Sequence, residues 1–126
     1  MLKIGVRGCR ETVVTEAMTA KAMGSGELPV CATPALVALA EETAWKSVAE
    51  LLEPGQSTVG TKLDFAHIAA TPVGRRVRCE TELTELDRRR MVFSVVVYDE
   101  AGKIAEGVHE RFAVDAERFL RKANDR

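Results

Sequence analysis

The sequence predicts an α+β fold in which one long central helix is wrapped by an antiparallel β-sheet. Three observations lead there. A single stretch from Thr33-Pro34 to Leu52 reads as one continuous helix. Four strand-like segments follow it, joined mainly by short turns. Runs of strands after one helix imply an antiparallel sheet packed on that helix. Finally, 126 residues with 46% hydrophobic content suit one compact domain, residues 1–126, with a real core.

In chain order, residues 10–14 form a short first strand. Residues 17–30 are rich in small residues, with Gly24-Ser25-Gly26 and Pro29, and read as a loop or frayed helix. Thr33 suits an N-cap and Pro34 a first helical position, and Glu53-Pro54-Gly55 ends the helix. At ~1.5 Å per residue the helix is about 28 Å long, enough to cross a small sheet. The next strand, 58–68, alternates so that Val59, Thr61, Leu63, Phe65 and His67 share one face. A strand at 75–86 turns Val77, Cys79, Thr81 and Leu83 inward and Arg76, Arg78, Glu80 and Glu82 outward. Residues 91–98 are almost wholly apolar and β-branched, which places them centrally in the sheet. Asp99-Glu100-Ala101-Gly102 is a hairpin turn into a strand over 103–114, and a short amphipathic helix over 115–123 closes the chain.

Acidic and basic residues nearly cancel, 19 against 18, so the charge balance calls for neither nucleic acid nor an anionic membrane as partner. No apolar run approaches the roughly 18 residues needed to span a bilayer, and the first residues lack a secretory h-region. Cys9, Cys31 and Cys79 are widely spaced, with no CxxC pair, and read as reduced core thiols. With two histidines in addition, no zinc site or other metal is expected, nor a resident cofactor. The expected location is cytoplasmic.

One residue breaks the helical pattern. At 100° per residue Val37, Glu41, Ala44, Val48 and Leu51 fall on one stripe, and four of those five are apolar. That stripe should face a core or a partner subunit, where an ionised carboxylate is costly unless paired or hydrogen-bonded. A carboxylate reaching water from the helix rim leaves the same trace. A second polar group converges on the region: His67 ends the apolar face of its strand and points toward the helix. Lone histidines in such places are more often satisfied core residues than catalysts. A glutamate and a histidine aimed into one helix–sheet interface are instead where general acids and bases are found.

The local motifs sharpen this. Ala32-Thr33-Pro34 with Glu41 eight residues on, Gly60-Thr61, the run from His67 through Thr71-Pro72-Val73-Gly74, and Gly107-Val108-His109-Glu110-Arg111 together resemble the fluoroacetyl-CoA thioesterase-like family of hot-dog fold proteins. The resemblance covers residues 30–119. It implies a hot-dog fold, hydrolysis of acyl-CoA thioesters, CoA present only as part of the substrate, and a homodimer with active sites near the interface. It assigns the catalytic roles to Thr33, Glu41 and His67. It gives Gly60 the backbone N–H that holds the thioester carbonyl, and it places Arg111 in substrate binding. Fluoroacetyl-specific members look richer in aromatic residues ahead of the threonine, where a lid would lie. Residues 17–30 here contain none, so the expected substrate is a small- or medium-chain acyl-CoA without strict fluoroacetate selectivity.

Each residue has a plainer reading. Thr33 fits an N-cap, Gly60 a strand bulge, and Arg111, beside His109 on one strand face, a partner for a nearby carboxylate. Arg88-Arg89-Arg90 fits a solvated turn, or else a landing place for CoA phosphates. If Thr33 and Glu41 lie on one helix they are about 12 Å apart along its axis, so Thr33 sits at the cleft mouth, its chain bends in before the helix, or one of the pair comes from a second subunit. Two other functions share these features: a binding module that holds an acyl-CoA or hydrophobic ligand without turning it over, and an enoyl-CoA hydratase-type lyase.

Overall fold

A computed structural model describes all 126 residues. The chain begins with strand β1 (Arg7–Val13), then a 3-10 turn (Glu16–Met18) and a short helix α1 (Ala20–Met23). The long helix α2 (Thr33–Val48) follows, extended by a 3-10 turn (Ala49–Leu51). Strands β2 (Gln56–His67), β3 (Arg76–Asp87), β4 (Arg90–Asp99) and β5 (Gly102–Asp115) lead to the terminal helix α3 (Ala116–Asn124). The strands form one antiparallel sheet in the order β1-β3-β4-β5-β2. As expected from its apolar run, β4 is central. Strands β1 and β2 are the edges.

Helix α2 lies on one face of this sheet. Its buried residues are Ala35, Leu36, Leu39, Ala40, Thr43, Ala44 and Val48. They meet Val77, Cys79, Val95, Val97, Ile104 and Ala105 toward one end, and Leu83, Met91, Phe93 and Ala113 toward the other. Each large side chain so enclosed contributes about 1.5–3 kcal/mol. The alanines let the helix approach closely, and so does Gly8 of β1: a β-carbon there would lie 2.8 Å from the Thr43 carbonyl and 2.9 Å from Ser47 Cβ.

The buried stripe is rotated from the expected one. Leu36 and Leu39, which lie off the stripe of Val37, Glu41, Ala44, Val48 and Leu51, form the core, while Val37, Glu41 and Leu51 flank it half-exposed. With apolar residues nearly all round the helix, periodicity alone could not choose between the two faces.

Residues 16–23 are more regular than the expected loop or frayed helix. The Thr19 hydroxyl caps α1 by accepting the Ala22 N–H at 3.1 Å, and Gly24 ends the turn at φ +74°. Thr71, in the loop before β3, is fully buried and donates to an Asp99 carboxylate oxygen at 2.8 Å. Of the thiols, Cys31 and Cys79 are buried and Cys9 is exposed on β1, a correction to the three-core reading. Burial pushes the Cys79 thiol up to about 11. The β3–β4 turn holds Arg88 at φ +58°, the one non-glycine residue with positive φ. A left-handed backbone costs an L-residue roughly 1–2 kcal/mol.

Strand β2 carries the irregularity that builds the site. Its pairing with β5 shifts between Gly60, opposite Arg111, and Lys62, opposite Glu110. The extra residue, Thr61, makes a β-bulge that reverses the inward and outward sense on either side. Beyond it Leu63, Phe65 and His67 face the helix as expected. Before it Thr58 and Gly60 face inward in place of Val59 and Thr61.

Candidate functional site

Glu41 projects from the middle of α2, on its half-exposed flank, with 44% of the side chain accessible. The expectation of an oily, desolvated carboxylate therefore does not hold in the single chain. Instead the carboxylate is paired. Arg111 Nη1 donates to Glu41 Oε2 at 3.3 Å, and the arginine itself is almost wholly enclosed, its side chain 6% exposed.

Arg111 is fixed on every side. Its Nε donates to the Thr58 hydroxyl at 2.9 Å and its Nη2 to the Thr58 carbonyl at 3.0 Å. Its Nη1 also lies 3.1 Å from His109 Nε2, and His109 Nδ1 lies 2.9 Å from the Lys62 carbonyl. These partners settle the tautomer. A guanidinium only donates and a carbonyl only accepts, so His109 carries its proton on Nδ1 and accepts at Nε2. Burial, the Arg111 charge reinforcing it, holds the His109 pKa below the usual histidine range, so the ring is neutral near pH 7. Burial likewise draws the Arg111 pKa down against the opposing pull of Glu41.

Gly60 completes the arrangement. A β-carbon at this position would overlap Glu41 Oε2 and come within 3.1 Å of Arg111 Nη1 and 3.2 Å of His109 Cε1. The missing side chain is what lets the carboxylate and guanidinium close over the strand. Glu41 and Arg111 line an open cavity of about 590 Å³, together with Arg10, Met18, Leu39 and Trp45. Met18 comes from the segment where a lid was expected.

Thr33 and His67 form a separate pair. The Thr33 hydroxyl lies 2.8 Å from His67 Nδ1. Thr33 is the first residue of α2, not its cap; Ala32 holds the N-cap position and Thr33 makes no capping bond. His67 Nε2 is shielded from solvent and has no partner. His67 lines a shallow pocket of about 220 Å³ with Val30, Cys31 and Ile68. Within one chain, then, Glu41 meets Arg111 and Gly60, whereas His67 meets Thr33, and no hydrogen bond or ion pair joins the two pairs. Thr58 is the participant the sequence reading missed, and Gly60 inside a strand pattern was its signal, since a bulge there reverses which neighbours face inward.

The sequence pattern of a family described as fluoroacetyl-CoA-specific thioesterase matches residues 14–117. This chain belongs to that family. A fluoroacetyl-CoA thioesterase from Streptantibioticus cattleyicolor is 35% identical over 97 residues, 77% of this chain and 70% of that protein. A solved fluoroacetyl-CoA thioesterase superposes with a TM-score of 0.93 at 31% identity, covering 100% of this chain and 98% of the other. A variant of such an enzyme has been solved with fluoroacetate and CoA. A hot-dog-like protein from Thermanaerovibrio acidaminovorans shares the fold at TM-score 0.90 and 18% identity, over 98% of this chain and 92% of the other. The fold is the hot-dog fold, as the motifs implied, and the family's enzyme class is the expected one, thioester hydrolase.

Proposed function

We propose that this protein hydrolyses a small- or medium-chain acyl-CoA thioester to the free acid and CoA. One observation carries the reading: the Glu41 carboxylate is held by a buried arginine over a strand position open only to glycine, and it borders a cavity of about 590 Å³. Arg111 engages Oε2, which leaves Oε1 for water or for the thioester carbon. In one route Glu41 takes a proton from water as the water oxygen bonds to the carbonyl carbon; in the other the carboxylate itself attacks and water releases the acid. Either way the C–S bond breaks and the departing thiolate takes a proton. The bulged backbone at Gly60 is free of any side chain, so a carbonyl oxygen can approach an N–H there as negative charge develops. His67, whose Nε2 has no protein partner, serves as the proton site, and Thr33 orients its ring.

In this reading a second copy of the chain completes the site. Glu41 and His67 do not meet within one chain, the twelve-residue strand β2 is an open edge, and Trp45 on the flank of α2 is 41% exposed. Long open edges and uncovered apolar side chains are surfaces that a partner covers. The homodimer places Glu41 of one chain against the Thr33–His67 pair of the other.

The test is thiol release from a panel of acyl-CoA thioesters of increasing chain length. The reading predicts turnover with short or medium chains. A folded protein that frees no thiol from any of them refutes it, and loss of enoyl absorbance without free thiol assigns a lyase instead.

A further inference from the structure

The cations of this chain are unevenly partnered. Arg7, Arg10, Lys46, Arg76, Arg78, Arg90, Lys103, Arg111 and Arg121 each lie within 4 Å of a carboxylate oxygen. Arg88, Arg89, Arg118 and Lys122 are among the nine cations without such a partner, and the grooves they line, joined through Arg89, gather these four at one end of the sheet. Arg89, Arg118 and Lys122 line a groove of about 230 Å³ beside Phe119, which is 42% exposed. Asp115 also lines it, but its carboxylate is occupied in capping α3 through the Arg118 N–H at 3.0 Å.

Two further observations separate this cluster from an ordinary solvated turn. Arg88 stands at φ +58°, where glycine or asparagine would be unstrained, yet the position holds an arginine with no carboxylate to serve. And Arg89 lines a second, largely apolar groove of about 410 Å³ that includes Leu51, Leu52 and Met91. Met91 is the register partner of Arg111, the residue that holds Glu41. Leu51 lies ten positions beyond Glu41, along α2 and the 3-10 turn that extends it, about 15 Å at ~1.5 Å per residue. An extended pantetheine arm covers that length. Coenzyme A carries a diphosphate and a ribose 3′-phosphate at the end remote from its thiol. Arginine suits phosphate geometry, and an exposed aromatic ring suits a purine face.

Resting on the thioesterase reading, we propose that Arg88, Arg89, Arg118 and Lys122, with Phe119 beside them, bind the 3′-phosphoadenosine diphosphate end of coenzyme A. The substrate is accordingly a free nucleotide thioester, not an acyl group carried on the phosphopantetheine of a protein.

The probe is adenosine 3′,5′-bisphosphate, titrated calorimetrically into the wild-type protein and into an Arg89→Glu/Arg118→Glu variant whose fold is checked by circular dichroism. Binding to wild type that weakens with salt and falls at least about tenfold in the variant is the expected result. A kinetic arm compares acetyl-CoA with acetyl-pantetheine, which has no phosphate. The preference for acetyl-CoA in kcat/KM should fall at least about tenfold in the variant, whereas mere structural damage lowers both substrates together. An unchanged preference, or no binding of the bisphosphate by wild type, overturns the proposal. So does binding of an acyl carrier protein in its place. If no thioester is hydrolysed at all, the thioesterase reading fails, while the titration still decides the nucleotide site. A Phe119→Ala variant adds a check that leaves the charges intact, and weaker bisphosphate binding is expected there too.

Discussion

Two glycines make opposite predictions because different atoms stand where their side chains would be. At Gly60 the nearest obstacle to a methyl group is the tip of Glu41, a flexible side chain that can swing aside, while Arg111 Nη1 at 3.1 Å and His109 Cε1 at 3.2 Å must each give only slightly. Gly60→Ala should therefore change stability by under about 1 kcal/mol yet lower kcat/KM on the order of 100-fold, because the carboxylate is displaced. At Gly107 the obstacles are the Asp64 carbonyl and Phe65 Cα of the facing strand, which cannot yield without moving the sheet. Gly107→Ala should cost about 2–3 kcal/mol in urea denaturation. Equal effects of the two substitutions on stability would contradict this account of the site.

His109 supplies a pH dependence whose sign follows from its burial. Its folded-state pKa is depressed, so below the ordinary histidine value the unfolded chain takes up a proton that the folded chain refuses. Stability rises with pH through that window and is lost as pH falls toward the depressed folded value. Protonation would also put a second donor at Nε2, facing the Arg111 guanidinium that it now accepts from. His109→Gln cannot charge, so urea midpoints measured from pH 7 to 5 should decline less steeply in the variant than in wild type. Parallel declines would show that His109 is not the group responsible.

At the scale of elements the bulge in β2 is decisive. Deleting Thr61 restores regular alternation and sends either Thr58 and Gly60 or Leu63, Phe65 and His67 to the wrong face. The expected outcome is a protein with no thioesterase activity and a lower melting temperature; an active deletion variant would show the bulge to be dispensable. The strands and the long helix were legible in the sequence because alternation, Pro34 and Glu53-Pro54-Gly55 mark them locally. The register of β2 before the bulge was not, because one inserted residue shifts every earlier side chain while leaving the composition unchanged. The buried face of α2 was misjudged for a related reason: a helix apolar on several sides does not reveal by period alone which side meets the sheet. Arg111 illustrates a third case. Pairing with a carboxylate was foreseen, but that the carboxylate is Glu41, seventy positions away, is a fact of tertiary structure.

For the whole molecule, the separation of Glu41 from His67 within one chain makes assembly testable by complementation. Glu41→Gln and His67→Ala chains, each inactive alone, are unfolded together, refolded and assayed. If each site draws Glu41 from one chain and His67 from the other, every mixed dimer holds one intact site. About a quarter of wild-type activity should then return at equal mixing. No recovery, with mixed dimers shown to be present, would place both residues of a site in the same chain. The paired geometry of Glu41 and Arg111 remains the feature on which the functional reading turns. The most direct measurement is thiol release from a short-chain acyl-CoA by Glu41→Gln, which keeps the shape and a hydrogen-bond acceptor for Arg111 but removes the charge. The account predicts a folded protein that still binds the thioester and releases thiol at least about 100-fold more slowly than wild type. A variant that turns over at the wild-type rate would contradict it.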